Sequence, residues 1–258
     1  MKIAHDEKSR EGLIRLWIKV FGDEREYVEL LFQCEKGICD TFAYHDGGSV
    51  CSALYLLDCT LNFNGKDYKG KYLYAAATDP KYRQKGIMGT LISEAQEYCN
   101  KSGLDFIALV PANDELYRYY ERFGFITAMH RKTVFSSTEN IFEAATEISA
   151  DEYFSERRRY LDNCLSFSDS CTDYVASCLK YSGLRFYNAD NGALFISEQG
   201  SILLDEYISE GSAVRLITDN LSDDNKCYDE KYGMLYPINA DLIRDWNYKD
   251  IYMNIALD

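Results

Sequence analysis

The first 135 residues alternate between helical and strand-like spacing of apolar side chains. Apolar residues recur every three to four positions over 8–20, 25–35, 87–102 and 113–123, which predicts helices. Continuous or alternating apolar runs bounded by turn residues predict strands over 38–46, 49–62, 68–78 and 106–110, and from 125 to about 135. This order is typical of a mixed α/β protein in which helices pack on a twisted sheet.

The second half repeats the order of two helices followed by strands, although no residue-level repeat is visible. Helical patterns over 151–164 and 170–181 precede a series of short strand-like runs, at 184–188, 192–197, 201–207, 213–218 and 250–257. A polar connector over 136–149 separates the halves. We therefore predict a first domain over 1–135 and a second, smaller α+β domain over 136–258.

Charge is distributed unevenly between these halves. The chain has 42 acidic and 28 basic residues, for a net charge of −14, and residues 1–135 contribute only −1 of it. Nucleic acid is an unfavourable partner, because phosphate binding requires a basic face. A nearly neutral first half can hold a small anionic cofactor. The acidic second half either favours cationic ligands or serves solubility alone.

Three other features narrow the class of protein. The nine cysteines form no C-x-x-C pair and the three histidines do not cluster, so we expect neither a zinc site nor a disulfide framework. No apolar stretch approaches the roughly 18 residues of a membrane span. The charged N-terminus lacks the apolar core of a secretory signal. These features predict a cytoplasmic protein without a membrane segment.

The segment 75–91 joins a predicted strand to a predicted helix through a basic, glycine-bearing loop. The first turn of a helix presents unpaired backbone amides, which suit a diphosphate. Gly86 and Gly89 allow close approach of an anion to the backbone, and Arg83 and Lys85 add positive charge. The segment lacks the Gly-Lys-Ser/Thr of a P-loop and the three-glycine spacing of the dinucleotide fingerprint. Taken alone, it is equally consistent with an ordinary turn.

A second segment makes the pattern more specific. Arg83-Gln84-Lys85-Gly86-Ile87-Met88 fits the motif Arg/Gln-x-x-Gly-x-Gly/Ala except at Met88, which Gly89 follows at once. Asn113, then Tyr120 seven residues later, then Gly124-Phe125 complete a second motif. The chain thus resembles the GNAT superfamily of acyl-CoA N-acyltransferases over residues 1–135. The later half resembles the degenerate second GNAT-like domain of bacterial acetyltransferases of the enhanced-intracellular-survival group.

The resemblance implies acetyl-CoA as cosubstrate and a role for each matched position. Backbone groups at the end of the strand are expected to bind the pantetheine arm, namely those of Ala76, Ala77 and Thr78. The loop is expected to cradle the diphosphate with Arg83, Gln84, Lys85, Gly86, Ile87, Met88 and Gly89. Asn113 would contact the CoA arm, and Tyr120 would protonate the leaving sulfur as general acid.

The residues by themselves leave alternatives open. Tyr120 also fits a core stripe, and Asn113 also fits a helix N-cap. The predicted strand 106–110 has no carboxylate for a general base, so deprotonation runs either through water or through a carboxylate from elsewhere, such as Glu26, Asp58 or Asp79.

We predict an N-acetyltransferase that acts on the primary amine of a small cationic acceptor or a peptide. The alternative is a CoA-binding regulatory or interaction module without catalysis. The acidic half would either shape the acceptor pocket or form the contact of a homodimer.

Overall fold

A computed structural model describes residues 2–3, 7–33, 38–136, 145–190, 192–199, 201, 203–209, 212–218, 227–240, 242 and 251–253. The helices are α1 (Glu7–Phe21), α2 (Arg25–Gln33), α3 (Ile87–Lys101), α4 (Asp114–Glu121), α5 (Ala150–Tyr160) and α6 (Asp169–Tyr181), and a short 3₁₀ turn occupies Pro80–Tyr82. The first strands are β1 (Lys2–Ile3), β2 (Cys39–Asp46), β3 (Ser49–Phe63), β4 (Lys66–Thr78), β5 (Phe106–Leu109) and β6 (Ile126–Ser136). The later strands are β7 (Ala145–Glu147), β8 (Leu165–Phe167), β9 (Arg185–Ala189), β10 (Leu194–Ser197), β11 (Leu203–Ser209), β12 (Ser212–Thr218), β13 (Cys227–Pro237) and β14 (Ile251–Tyr252).

The chain divides into two compact units that are not continuous in sequence. The first unit comprises Met1–Thr60, Tyr68–Ile126 and Met234–Trp246, and the second comprises Leu61–Asp67, Thr127–Gly233 and Asn247–Asp258. Strand β13 begins in the second unit and ends in the first. The predicted division at residue 135 into a catalytic and a degenerate domain concerns function and stays a prediction.

The first unit is a mixed sheet with helices on both faces. Its strands lie in the order β1-β2-β3-β4-β5-β13, with β4 and β5 parallel and β13 antiparallel to β5. Adjacent residues of β3 point to opposite faces. Leu54 is fully buried in the core cluster that includes Leu91 of α3, whereas the ring of Tyr55 lies 5.3 Å from that of Trp17 on α1. Both faces of the strand are therefore covered.

The second unit contains a sheet with α5 and α6 and a fully buried ion pair. Its strands lie in the order β6-β12-β11-β10-β9-β7, with β14 parallel to β6. Arg157 of α5 donates from Nε and Nη2 to the two carboxylate oxygens of Glu206, each at 2.9 Å. The hydroxyls of Tyr153 and Tyr252 also donate to this carboxylate, at 2.7 and 3.1 Å. The buried charges are thus fully hydrogen-bonded, as their burial requires.

The predicted fold class is confirmed, since helices and a large mixed sheet form the structure. The helices and strands predicted over 8–135 occur within a few residues of their expected bounds. Strand β13 was not predicted, and neither were the short strands β7 and β8. The run predicted over 250–257 contains β14 at Ile251–Tyr252, and residues 250 and 254–257 of that prediction lie outside the described residues.

Candidate active site

Strand β4 carries a local distortion where the site was predicted. Ala75 has a φ of 46°, a left-handed conformation that is uncommon for a residue other than glycine. The pairing of β4 with β5 runs from Gly70↔Phe106 to Tyr72↔Ala108. Within these two fully described strands the ladder ends there, so β4 separates from β5 before it reaches Ala75. The backbone that follows can bind a ligand in place of β5.

The three residues after Ala75 do not all face this opening. The Ala77 carbonyl accepts a hydrogen bond from Ser52 Oγ (3.1 Å), and the Asp79 amide donates to the Cys51 carbonyl (2.9 Å). Ala77 and Asp79 therefore face β3. Backbone groups alternate along a strand, so those of Ala76 and Thr78 face away from β3. In agreement, the Thr78 carbonyl accepts from Arg83 Nε at 3.2 Å.

The loop before α3 combines two left-handed residues with an uncapped helix start. Gln84 has a φ of 63° and Gly86, the N-cap, has a φ of 76° and no side-chain cap. The first helical bond runs from the Thr90 amide to the Gly86 carbonyl at 3.0 Å, so the amides of residues 87–89 have no acceptor within the helix. A Cβ at Gly86 would meet no atom within 4 Å. The loop is therefore open and lined by amides, an arrangement that can accept an anion.

Met88 and Gly89, the departure from the motif, both have a packing explanation. Met88 is partly buried and packs against the core cluster, so its side chain does not fill the loop. A Cβ at Gly89 would lie 3.0 Å from Phe123 Cζ of the segment after α4. Gly89 thus permits close packing of α3, in addition to any role in ligand approach.

The turn between β4 and the loop is anchored by side chains distant in sequence. The Asp79 carboxylate accepts from the Lys81 amide at 3.1 Å and pairs with Lys19 Nζ of α1 at 2.7 Å. The Lys19 hydrogen bond, then that of the amide, holds the pKa of Asp79 below its usual value. A carboxylate stabilised in this way is a weak base. Asp79 is therefore a poor candidate for the general base.

The other two carboxylates named from the sequence differ in their surroundings. Asp58 Oδ1 pairs with the buried Lys71 ammonium at 2.6 Å, and Asp40 binds the same ammonium at 2.8 Å. Glu26 lies exposed in the first turn of α2. Strand β5 is fully buried and apolar. Asp58 and Asp79 are thus both held in ion pairs, and strand β5 offers no carboxylate.

Tyr120 lies on the buried side of α4. It is 7% exposed, and its ring packs edge-on against Tyr119 (5.4 Å) and Phe125 (5.6 Å). Burial raises the pKa of Tyr120, with a smaller contribution from Tyr119. The phenol is therefore neutral and able to donate. Its membership in the core cluster shows the packing role that the sequence also allowed, and the chemical role stays a prediction.

Asn113 is the N-cap of α4, as one of its two predicted roles required. Its Oδ1 accepts from the Leu116 amide at 3.1 Å, and the residue is exposed. A cap oxygen that is engaged in this way leaves the amide nitrogen of the side chain available for a ligand.

A cleft of about 660 Å³ lies beside this region, between α1 and the turn that joins β2 to β3. Its lining includes Arg15, Lys19, His45 and Asp79. The volume is in the range of small-molecule sites. Its excess of basic side chains suits a ligand with an acidic group better than a cationic one.

Sequence reasoning missed two contacts that hold the turn at residues 79–82. One is the ion pair of Lys19 with Asp79, and the other is the hydrogen bond from the Tyr82 hydroxyl to Asp46 Oδ2 at 2.9 Å. Lys19 and Asp79 are 60 residues apart, and Asp46 and Tyr82 are 36 apart. No spacing rule relates such positions, because the sheet brings them together.

The strand that leaves its neighbour, the amide-lined loop and the tyrosine on the later helix occur in the order that the resemblance to the GNAT superfamily predicts. Residues 4–128 match the family model described as an acetyltransferase (GNAT) domain, so this part of the chain belongs to the GNAT superfamily. The resemblance stated from the sequence is confirmed. A comparison with curated proteins gave no match.

Solved structures of the same fold match nearly the whole chain. A GCN5-related N-acetyltransferase from Kribbella flavida is 16% identical, with a TM-score of 0.63, over 93% of this chain and 72% of that one. Eis1 from Mycobacterium abscessus is 10% identical, with a TM-score of 0.67, over 92% and 73%. A GCN5-related N-acetyltransferase from Anabaena variabilis is 14% identical, with a TM-score of 0.65, over 93% and 73%. At these identities the matches establish the fold alone. The likeness to Eis1 is therefore a likeness of fold.

Two further observations concern the described residues only. None of their helices is long and apolar enough to cross a membrane. They contain no group of three or more His, Cys, Asp or Glu side chains that could hold a metal ion.

Proposed function

We propose that the protein is an acetyl-CoA-dependent N-acetyltransferase that acts on a primary amine. The observation that carries this proposal is the combination of a β4 strand that leaves β5 before Ala75 with an open amide-lined loop at Gly86. Such an arrangement offers hydrogen bonds to an extended arm and to a diphosphate at consecutive points of the chain.

The proposed binding residues divide by the part of acetyl-CoA that they contact. Backbone groups of Ala76 and Thr78 would bind the pantetheine arm, with Ala77 holding the strand to β3. The diphosphate would lie on the amides of the loop and the first turn of α3, between Arg83 and Gly89. Asn113 would contact the arm with the nitrogen of its side chain.

Tyr120 would act on the leaving group. The amine nitrogen attacks the thioester carbon, the carbon–sulfur bond breaks, and the electron pair of that bond goes to sulfur. Tyr120 donates its proton to the sulfur, and the proton lost by the amine restores the phenol through water. Because burial raises the pKa of Tyr120, the phenol is protonated before each turnover. An amide at the open strand would stabilise the oxyanion, which in other enzymes is worth about 3 kcal/mol per donor.

A second candidate is a CoA-binding module without catalysis. The observation that favours it is that Asp58 and Asp79, two of the carboxylates considered as bases, are held in ion pairs. In an enzyme with this arrangement the amine would lose its proton to water or to another carboxylate, such as Glu26. A module requires no base at all.

The charges of two parts of the chain favour two classes of acceptor. The acidic residues of 136–258 favour a small cationic acceptor or a basic peptide through long-range attraction. The cleft beside α1 favours an amine that also carries an acidic group. A panel of acceptors should therefore contain both kinds. We further propose a cytoplasmic location.

Two measurements test the proposal. The first is the thermal shift of the protein with acetyl-CoA, and the second is thiol release across a panel of polyamines, aminoglycosides, amino acids and peptides. Stabilisation together with thiol release on at least one amine supports the enzyme. Stabilisation without release on any amine supports the module, and the absence of stabilisation rejects both.

A further inference from the structure

The turn before the amide-lined loop contains a tyrosine with two side-chain partners from different parts of the chain. The Tyr82 hydroxyl donates to Asp46 Oδ2 at the end of β2, at 2.9 Å. The Lys85 ammonium lies over the face of the Tyr82 ring, 4.9 Å from its centre. Tyr82 therefore connects the end of β2 to a side chain of the loop.

The backbone around Tyr82 is also held in place. The Tyr82 amide donates to the Asp79 carbonyl at 2.8 Å, and the Asp79 amide donates to the Cys51 carbonyl of β3 at 2.9 Å. The ring is thus fixed at its backbone by the turn and at its hydroxyl by Asp46. A ring held at both ends is a rigid surface for a flexible side chain.

A lysine side chain loses much rotamer freedom when a ligand localises it. Stacking on a fixed aromatic ring removes part of that freedom before the ligand arrives. The geometry points to Tyr82 as a positioning residue for diphosphate binding, in which its ring holds the Lys85 ammonium beside the loop and Asp46 holds the ring. This inference rests on the proposed function, since it assumes that the loop binds acyl-CoA.

The hydrogen bond with Asp46 serves a second purpose. A carboxylate close to a diphosphate site repels the ligand. The hydroxyl of Tyr82 donates to one oxygen of the Asp46 carboxylate and offsets part of its negative charge. The same hydrogen bond is the main cause that raises the pKa of Tyr82, so the hydroxyl remains a donor.

The experiment compares four variants by calorimetry with CoA and with pantetheine, which lacks the diphosphate. Tyr82→Leu removes the ring, and Tyr82→Phe and Asp46→Asn remove or weaken only its anchor. Tyr44→Phe, on the same strand as Asp46 and 45% exposed, is the matched control. We expect Tyr82→Leu to raise the Kd of CoA about 2–5-fold, as for an exposed cation–π contact. The anchor variants should show smaller increases, and the control none.

The affinity for pantetheine should stay unchanged in all four variants. The loss of an exposed contact of about 0.5–1 kcal/mol should lower the Tm of the ligand-free protein by at most about 4 °C. A role in folding alone would lower the Tm and weaken both ligands equally, and that result would overturn the inference. Should Tyr82→Leu disturb the fold, Lys85→Met provides a second test. The double variant should bind CoA no more weakly than Lys85→Met alone, and additive losses would overturn the inference.

The failure of the proposed function is distinguishable from the failure of this inference. If the unmodified protein does not bind CoA, the proposed function fails and the inference fails with it. If the unmodified protein binds CoA and Tyr82→Leu binds it equally well, only the positioning role is rejected.

Discussion

Replacing Gly86 by alanine separates backbone strain from ligand binding. Gly86 has a φ of 76°, and a Cβ there would meet no protein atom within 4 Å. A left-handed backbone costs a residue other than glycine about 1–2 kcal/mol. For a chain of this size 1 kcal/mol corresponds to roughly 2–4 °C in Tm, so Gly86→Ala should lower the ligand-free Tm by roughly 2–8 °C.

Gly47 provides the matched control for this substitution. It has a φ of 56° in the turn between β2 and β3, and its Cβ would also meet no atom within 4 Å. Gly47→Ala should therefore lower the ligand-free Tm by a similar amount. The two variants should differ only in their response to CoA, because the open space at Gly86 is where the diphosphate would approach the amides.

The response to CoA can be calculated. A ligand at 100 times its Kd stabilises the folded state by about 2.7 kcal/mol, and at 10 times by about 1.4 kcal/mol. A tenfold loss of affinity in Gly86→Ala would thus halve the thermal shift at one CoA concentration, whereas Gly47→Ala would keep it. The assay is a thermal scan with and without CoA. Equal CoA shifts in the two variants would refute the placement of the diphosphate at Gly86.

Three further predictions concern Tyr120 and the buried ion pair. Tyr120→Phe should lower kcat by about 10²–10⁴-fold while the KM for acetyl-CoA changes little. Tyr119→Phe serves as control. If Tyr120→Phe and the unmodified protein have equal kcat values in steady-state assays, the phenol has no part in the mechanism. Because burial raises the pKa of Tyr120, the phenol keeps its proton as pH rises. A pH–rate profile should therefore show no alkaline decline below about pH 10. A decline at lower pH that Tyr120→Phe abolishes would contradict this prediction. Glu206→Ala leaves Arg157 buried without its partner and should lower the free energy of unfolding by about 3–5 kcal/mol. Glu230→Ala, which removes the exposed partner of Arg131, should lower it by at most about 1 kcal/mol. Similar losses for the two variants in thermal unfolding would contradict this prediction.

The division into units changes how the chain can be shortened. Residues Met234–Pro237 of β13 pair with β5, from Met234↔Leu109 to Pro237↔Phe106. A deletion that begins at residue 136 would remove this pairing and expose the edge of β5. Fragments of the first unit therefore require Met234–Pro237 as well as the residues up to Ile126.

The sequence by itself determined the helices of the first unit, its strands β2 to β5 and most of the candidate loop. Apolar spacing identified α3 and α4 because each buries one face, and the segment from Arg83 to Gly89 was recognisable because its residues are contiguous. The cap at Asn113 was also predictable, since an N-cap bonds to an amide three residues later. Local chemistry of this kind is readable along the chain.

Only the tertiary structure decided which distant residues meet. The left-handed turn at Ala75 follows no residue preference, since alanine does not favour it, and it occurs where β4 leaves its neighbour. The contacts of Tyr82 with Asp46 and of Lys19 with Asp79 depend on the order of strands and helices in the sheet. The polar and charged residues from 227 to 231 hid the continuation of β13, whose buried end at Met234 and Leu235 is shaped by pairing with β5. Hydrogen bonds between strands join residues regardless of their separation, so one-dimensional spacing carries no record of them.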